Sequence, residues 1–241
     1  MKKYFLMIAI LFTINIAMLA QEEVSQPSET YGSEIKKKIV SSMFENKIDV
    51  TQFMGIPVDG TKKEMIKKLK KKGFKPVYND MLKGEFNGRD VYVTVAANKN
   101  KVWRIMLLDA NPSDESSIKR RFNDLCWQFL NSEKYHEKSD DTSMIIPDDE
   151  DISYNMTKQN KNYIAFFTQR ADVDLFFSKF PKEELNDLTE NDRTFIENFL
   201  NVQSLLCKKV QVVIEKSSRG NGYVIVMYYD NVHNQPNGED L

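Results

Sequence analysis

Thr61-Lys62-Lys63-Glu64-Met65-Ile66-Lys67-Lys68-Leu69-Lys70-Lys71-Lys72-Gly73 is the stretch that sets the architecture. Thr61 with Glu64 three residues on is a capping box, and Gly73 supplies the left-handed residue that ends a helix. Between them Met65, Ile66 and Leu69 form one apolar stripe. Lys62, Lys63, Lys67, Lys68, Lys70, Lys71 and Lys72 cover the rest, so the helix packs along one side and meets water on the other. The chain beyond Gly73 reads as β-structure. Strands are predicted over Met81–Phe86 and Val91–Ala97, joined through Asn87-Gly88, two residues that accept positive φ. A third strand, Val102–Leu108, comes after the polar turn Asn98 to Lys101.

The unit recurs twice. Asn111-Pro112 offers an N-cap followed by proline, and Ile118, Phe122, Leu125 and Phe129 then repeat at spacings of four, three and four. Strands are predicted over Ile152–Lys158, where Ile152, Tyr154 and Met156 alternate with polar residues, and over Tyr163–Gln169. The third unit is a helix opened by Thr189 and carrying Phe195, Ile196, Phe199, Leu200 and Leu206. The hairpin Val210–Glu215 and Tyr223–Tyr229 closes it. Val224 to Met227 is apolar on both faces, which places that strand in a sheet interior. Helix then β-meander, repeated, predicts an α+β fold: a twisted antiparallel β-sheet with helices covering one face. The unit is read as a single domain over residues 33–241, of two pseudo-repeated halves, 33–110 and 111–241, with His136 to Asp151 as a polar loop.

Upstream, Lys2 and Lys3 precede the apolar run Tyr4 to Leu19, with Ala20 before a polar stretch. This is the order of a secretory signal peptide over residues 1–20, followed by a flexible leader over 21–32. The expected product is exported and soluble, in the periplasm or outside the cell. No cysteine at the junction offers a lipid attachment, and no transmembrane anchor is expected after signal cleavage. The chain is electrically lopsided: residues 33–108 hold 17 Lys and Arg against 8 Asp and Glu, while 109–241 hold 15 against 24. Cys126 and Cys207 read either as a disulfide, contributing roughly 4 kcal/mol by loop entropy, or as two buried thiols acting as small apolar residues.

Two segments carry a family signature: Phe53-Met54-Gly55-Ile56-Pro57-Val58-Asp59-Gly60-Thr61, and Tyr228-Tyr229-Asp230-Asn231 running on to Asn237-Gly238-Glu239-Asp240-Leu241. They resemble a group of uncharacterised exported proteins of Bacteroidetes bacteria. The resemblance implies export into a diderm envelope and brings no activity, substrate or catalytic residue. Mechanically, Gly55 and Gly60 bracket Ile56-Pro57-Val58, so an extended segment is turned and fed into the helix at Thr61.

Enzymatic signals are thin. His136 and His233 are the only histidines, and no motif joins His136 to Cys126 as base and nucleophile. The acidic run Asp148, Asp149, Glu150 and Asp151, preceded by Asp140 and Asp141, lacks the ligand spacing of a helix-loop-helix calcium site. No cofactor or metal is expected. The lysine helix is the candidate anion site, through Lys62, Lys63, Lys67, Lys70 and Lys71; export makes an acidic glycan or a partner protein its natural ligand, and not nucleic acid. The sequence therefore reads as a non-catalytic binding module for a protein or an acidic envelope polymer. The alternative is a hydrolase using carboxylates such as Asp148 or Asp151 in a cleft.

Overall fold

The computed structural model describes residues 37–39, 41–42, 49–136, 144–218 and 220–236. The expected signal peptide, the leader, residues 237–241, Asp140 and Asp141 lie outside them. A two-residue-strand hairpin, β1 (Gln52–Phe53) and β2 (Ile56–Pro57), leads into helix α1 (Lys62–Lys71). Next come four strands: β3 (Lys75–Tyr78), β4 (Met81–Phe86), β5 (Arg89–Asn98) and β6 (Lys101–Asp109). The remaining elements are α2 (Glu115–Leu130), α3 (Ile152–Lys158), β7 (Ile164–Thr168), α4 (Val173–Phe177), α5 (Lys182–Leu185), α6 (Glu190–Cys207), β8 (Lys208–Lys216) and β9 (Tyr223–Asn231).

Strands β3 to β9 form one seven-stranded sheet in the order β3-β4-β5-β6-β9-β8-β7, and every pairing in it is antiparallel. The fold is α+β. Strand β9 lies in the interior, with Met227 opposite Leu107 of β6 on one side and opposite Val212 of β8 on the other. The sheet is thus continuous across residues 33–110 and 111–241. Ion pairs also join these two segments: Arg104 with Asp230, Lys208 with Asp49, and Lys38 with Glu184. In two of the three a cation of the positive segment meets an anion of the negative one, and in Lys208 with Asp49 the signs are reversed.

Local codes explain the elements that form. Thr61 and Glu64 make the capping box at the start of α1. At its other end the Phe74 N–H donates to the Leu69 carbonyl and the Gly73 N–H to that of Lys70, with Gly73 at φ +98°. That pattern releases the chain directly toward β3. Tight turns rest on consecutive left-handed residues: Met54-Gly55 between β1 and β2, Asn79-Asp80 between β3 and β4, Asn87-Gly88 between β4 and β5, and Lys99-Asn100 between β5 and β6. Such pairs match the twist of the strands they join.

Three expectations need correction, and of the two readings of the cysteines one falls away. Ile152–Lys158 is a helix, because the Asp151 carboxylate accepts from the Tyr154 N–H and caps it; Ile152, Asn155 and Met156 turn inward at helical spacing and the apparent alternation is incidental. Helix α2 starts three residues later than Asn111-Pro112 suggests. Asp114 is its cap, and Ser113 is held instead in a two-way backbone bridge to Tyr223. Leu206 is exposed, and Ser204 and Cys207 take the inward positions at the end of α6. No disulfide forms: Cys126 and Cys207 are separate buried thiols.

One face of the sheet carries the core. Val91, Val93 and Val95 of β5, Ile105 and Leu107 of β6, Ile225 and Met227 of β9, and Val210, Val212 and Ile214 of β8 meet Met65 and Leu69 of α1, Phe122 and Leu125 of α2, and Ile152 of α3. A second, smaller cluster gathers Phe176 of α4, Leu188, and Ile196, Phe199 and Leu200 of α6 around Ile39. Within the main layer, Arg121 of α2 makes a two-pronged contact with Asp109 at 2.6 and 2.8 Å, both side chains under a tenth exposed. A bulge at Trp103 on β6 brings Arg104 across the Trp103 and Tyr228 rings while it grips Asp230 with two bonds of 2.6 Å.

Two substitutions test this packing. A Cβ at Gly84 of β4 would stand 2.5 Å from the buried Phe74 ring, so Gly84→Ala is expected to destabilise by about 1–3 kcal/mol through overpacking. Asp109→Ala strands the Arg121 guanidinium and is expected to lose about 3–5 kcal/mol. Urea unfolding followed by circular dichroism measures both.

Candidate binding groove

The clasp that shapes the groove begins at the end of β9. Asn231 is 1 % exposed and its Nδ2 donates to the Val58 carbonyl at 2.8 Å. The buried Thr51 hydroxyl donates to the Asp230 carbonyl, and the Tyr229 and Phe53 rings lie 5.0 Å apart. Asn234, in the turn after β9, donates to the Asp59 carboxylate and to the Val102 carbonyl. The two described ends of the sequence signature therefore touch. Their residues serve one another: residues 228–231 are the seat on which hairpin β1–β2 is mounted.

From that seat the hairpin tip, Met54-Gly55, projects as one wall of an open groove of about 930 Å³. The facing wall is the C-terminal part of α2, with Leu125, Gln128 and Phe129; residues 132–134 and 170–174 and Glu197 of α6 complete it. Gln169 ties the floor to the hairpin. Its Oε1 accepts from the Gln52 N–H and its Nε2 donates to the Gln52 carbonyl, both at 2.7 Å, so a side-chain amide does for β1 what a neighbouring strand does elsewhere. The same Nε2 reaches the Tyr135 hydroxyl, which is in turn hydrogen-bonded to that of Tyr229. Burial pushes both phenols above their ordinary value, so they remain protonated.

Beside this floor Lys208 is 2 % exposed. Its ammonium is held by Asp49 at 2.7 Å and by the Arg170 carbonyl at 2.8 Å, while the other Asp49 oxygen accepts from the Asp172 N–H. Residues 170–172 are thus pinned from below. His136 Nε2 lies 2.7 Å from the Ser204 hydroxyl, and that hydroxyl donates to the Asn201 carbonyl. Ser204 must therefore accept from His136, the reverse of the polarity a histidine base needs to activate a serine. Burial, and then the positive charges of Arg170 and Lys208, lower the His136 pKa.

The sequence candidates lie elsewhere. On α1, Lys63, Lys67, Lys70 and Lys71 are exposed and Lys62 pairs with Asp80 at 3.3 Å; none of these lysines lines the groove. Asp151 is the cap of α3. Lys119 donates to the main-chain carbonyls of Asp148 and Glu150, and the Glu150 carboxylate gathers Lys161, Tyr163 and Asn155, which hold its pKa down. The acidic run is a loop knotted by its own bonds, away from the groove. Among the described residues no group of three or more His, Cys, Asp or Glu side chains is arranged to hold a metal ion. Burial raises both thiols, that of Cys126 to about 12, so neither is poised as a nucleophile. Gln169, Lys208, Asp49 and Tyr135 carry no signal in the sequence because their partners are remote in the chain.

Comparison of the chain with known family models, curated proteins and solved structures returned no match. Among the described residues no helix is long and apolar enough to cross a membrane.

The His136 environment sets a pH dependence. An unfolded histidine takes up a proton as pH falls through its ordinary 6.5, whereas the folded site resists. Stability contributed by this site is complete above pH 6.5 and drains away as pH falls toward the lowered folded value. The stability difference between the wild type and His136→Gln, from urea midpoints at pH 7.5, 6.5 and 5.5, is expected to shift against the wild type as pH falls. Parallel curves would remove His136 from this role.

Proposed function

We propose that the chain is an exported, non-catalytic binding module that holds an extended segment of a partner, a protein or an acidic envelope polymer, in the groove between the β1–β2 hairpin and α2. The observation that carries this reading is the groove's construction. Its floor groups, Gln169, Tyr135 and Lys208, already have partners within the fold, while its rim, Met54, Gln128, Glu133, Lys134 and Asp174, is exposed. A satisfied floor beneath an exposed rim of one apolar and four polar side chains is the economy of a recognition surface: the walls are pre-formed and little ordering accompanies binding. Export is inferred from the residue order of the first twenty positions.

The test is capture by purified protein lacking residues 1–20, on glycan and peptide arrays, beside Glu197→Trp, which fills the groove from the exposed side of α6. Wild type is expected to capture a defined set of ligands and the variant to lose them by about tenfold or more, a difference of about 1.4 kcal/mol, with an unchanged melting temperature. Capture of nothing above background, or equal capture by both proteins, would overturn the reading.

A further inference from the structure

At the turn between β4 and β5 the groove continues into a second cavity of about 390 Å³, the two sharing Asn87, Leu125 and Gln128. Its lining is dominated by guanidinium groups, from Arg89 at the start of β5 and from Arg120 and Arg121 on α2. The helix builds its side by spacing: Ser117, Arg121, Asp124 and Gln128 fall at intervals of four, three and four and so stand in one row, with Arg120 beside it.

The three arginines are not in the same state. Arg121 is buried and committed to Asp109 through Nε and one terminal nitrogen. Arg89 and Arg120 are exposed at the cavity, and among the described residues neither guanidinium has an ion pair or hydrogen bond. The neutral groups of the cavity are engaged: Ser117 with Asp114, and Gln128 Oε1 with Asn87 Nδ2, which leaves the Gln128 NH₂ as a further donor. One carboxylate, Asp124, shares the space and offsets part of the charge. Two unengaged planar donor forks lining the same cavity as a third that is fixed by a buried carboxylate supply the groups of a receptor for a planar or tetrahedral oxyanion, which arginine binds with paired N–H···O bonds. A lysine cluster such as that on α1 supplies charge without this geometry.

We infer that Arg89, Arg120 and Arg121 form an oxyanion subsite at one end of the groove, and that the groove's ligand is an acidic oligosaccharide whose carboxylate or sulfate group sits there. The saccharide part rests on the proposed role of the groove as a binding site. The walls favour a glycan over an acidic peptide. Phe129, Tyr135 and Tyr229 are each under a tenth exposed, which leaves Met54 and the half-buried Phe86 and Val173 as the accessible apolar contacts, whereas Gln52, Ser132 and the Gln128 NH₂ present polar groups suited to sugar hydroxyls.

The experiment is calorimetry at constant ionic strength with two probes, inorganic sulfate and a galacturonate hexamer, and with a polyglutamate peptide as competitor, on the protein lacking residues 1–20 and on Arg89→Gln, Arg120→Gln, Asp124→Asn and Glu197→Trp. Sulfate is expected to bind and to compete with the hexamer. Each arginine variant should weaken both probes by about tenfold, and Asp124→Asn should tighten both by removing the opposing charge. Absence of sulfate binding, or arginine variants that bind as the wild type does, overturns the subsite. Loss of the hexamer but not of sulfate in Glu197→Trp supports subsite and groove together. A hexamer that binds the arginine variants normally overturns the subsite and leaves the groove standing. Sulfate binding without any hexamer binding, or a polyglutamate peptide taken in preference to the hexamer, overturns the glycan assignment.

Discussion

The amide of Asn231 is the contact on which the arrangement of this protein turns. It is buried at the end of the interior strand β9 and donates to the carbonyl of Val58, just past the β1–β2 hairpin. Without it a buried carbonyl loses its partner, at a penalty of about 1–3 kcal/mol. Thr51 binding the Asp230 carbonyl and Phe53 lying against Tyr229 fix the other side of the hairpin to the same strand end. The hairpin has only two residues in each strand and cannot persist alone. It is a projecting wall because the sheet holds it as one, and the groove's geometry is set by how β9 ends.

The electrostatics of the fold depend on the same interleaving. Sequence segments of opposite net charge would face each other as two charged blocks if they folded apart. Because β9 enters between β6 and β8, their charges are distributed through one sheet, with Arg104 and Asp230 on adjacent strands and Lys208 drawn under the groove by Asp49. Among the described residues, cations without a side-chain partner remain where helix α2 lies by the β4–β5 turn, and not only on the lysine-rich helix that dominates the sequence.

Legibility in the sequence tracks the range of the forces involved. Helix α1, the Asn87-Gly88 turn and the interior position of β9 are written in neighbouring residues: a cap three positions from its partner, two adjacent residues tolerant of positive φ, an apolar run on both faces. Residues 152–158 mislead because seven residues of mixed polarity satisfy both a strand and a helix period; the deciding element is the Asp151 carboxylate, whose competence as a cap is itself local. The groove has no such signal. Gln169 is 117 positions from Gln52, and Lys208 is 159 from Asp49, so each looks like an ordinary surface residue until the chain is folded. On α2 the row of Ser117, Arg121, Asp124 and Gln128 has a readable period, but Arg89 joins it only through the sheet.

The interior place of β9 also fixes the order in which the molecule is completed. Strands β3 to β6 can assemble as a meander as soon as they are made, since each pairs with its chain neighbour. Strands β7 and β8 have no edge to join until residues 223–231 bridge them to β6. Until then the sheet is two separate pieces, the hairpin has no seat and the groove does not exist. Completion of the sheet therefore waits for its interior strand β9, the last strand among the described residues, and the long-range pairings it makes are the slow ones.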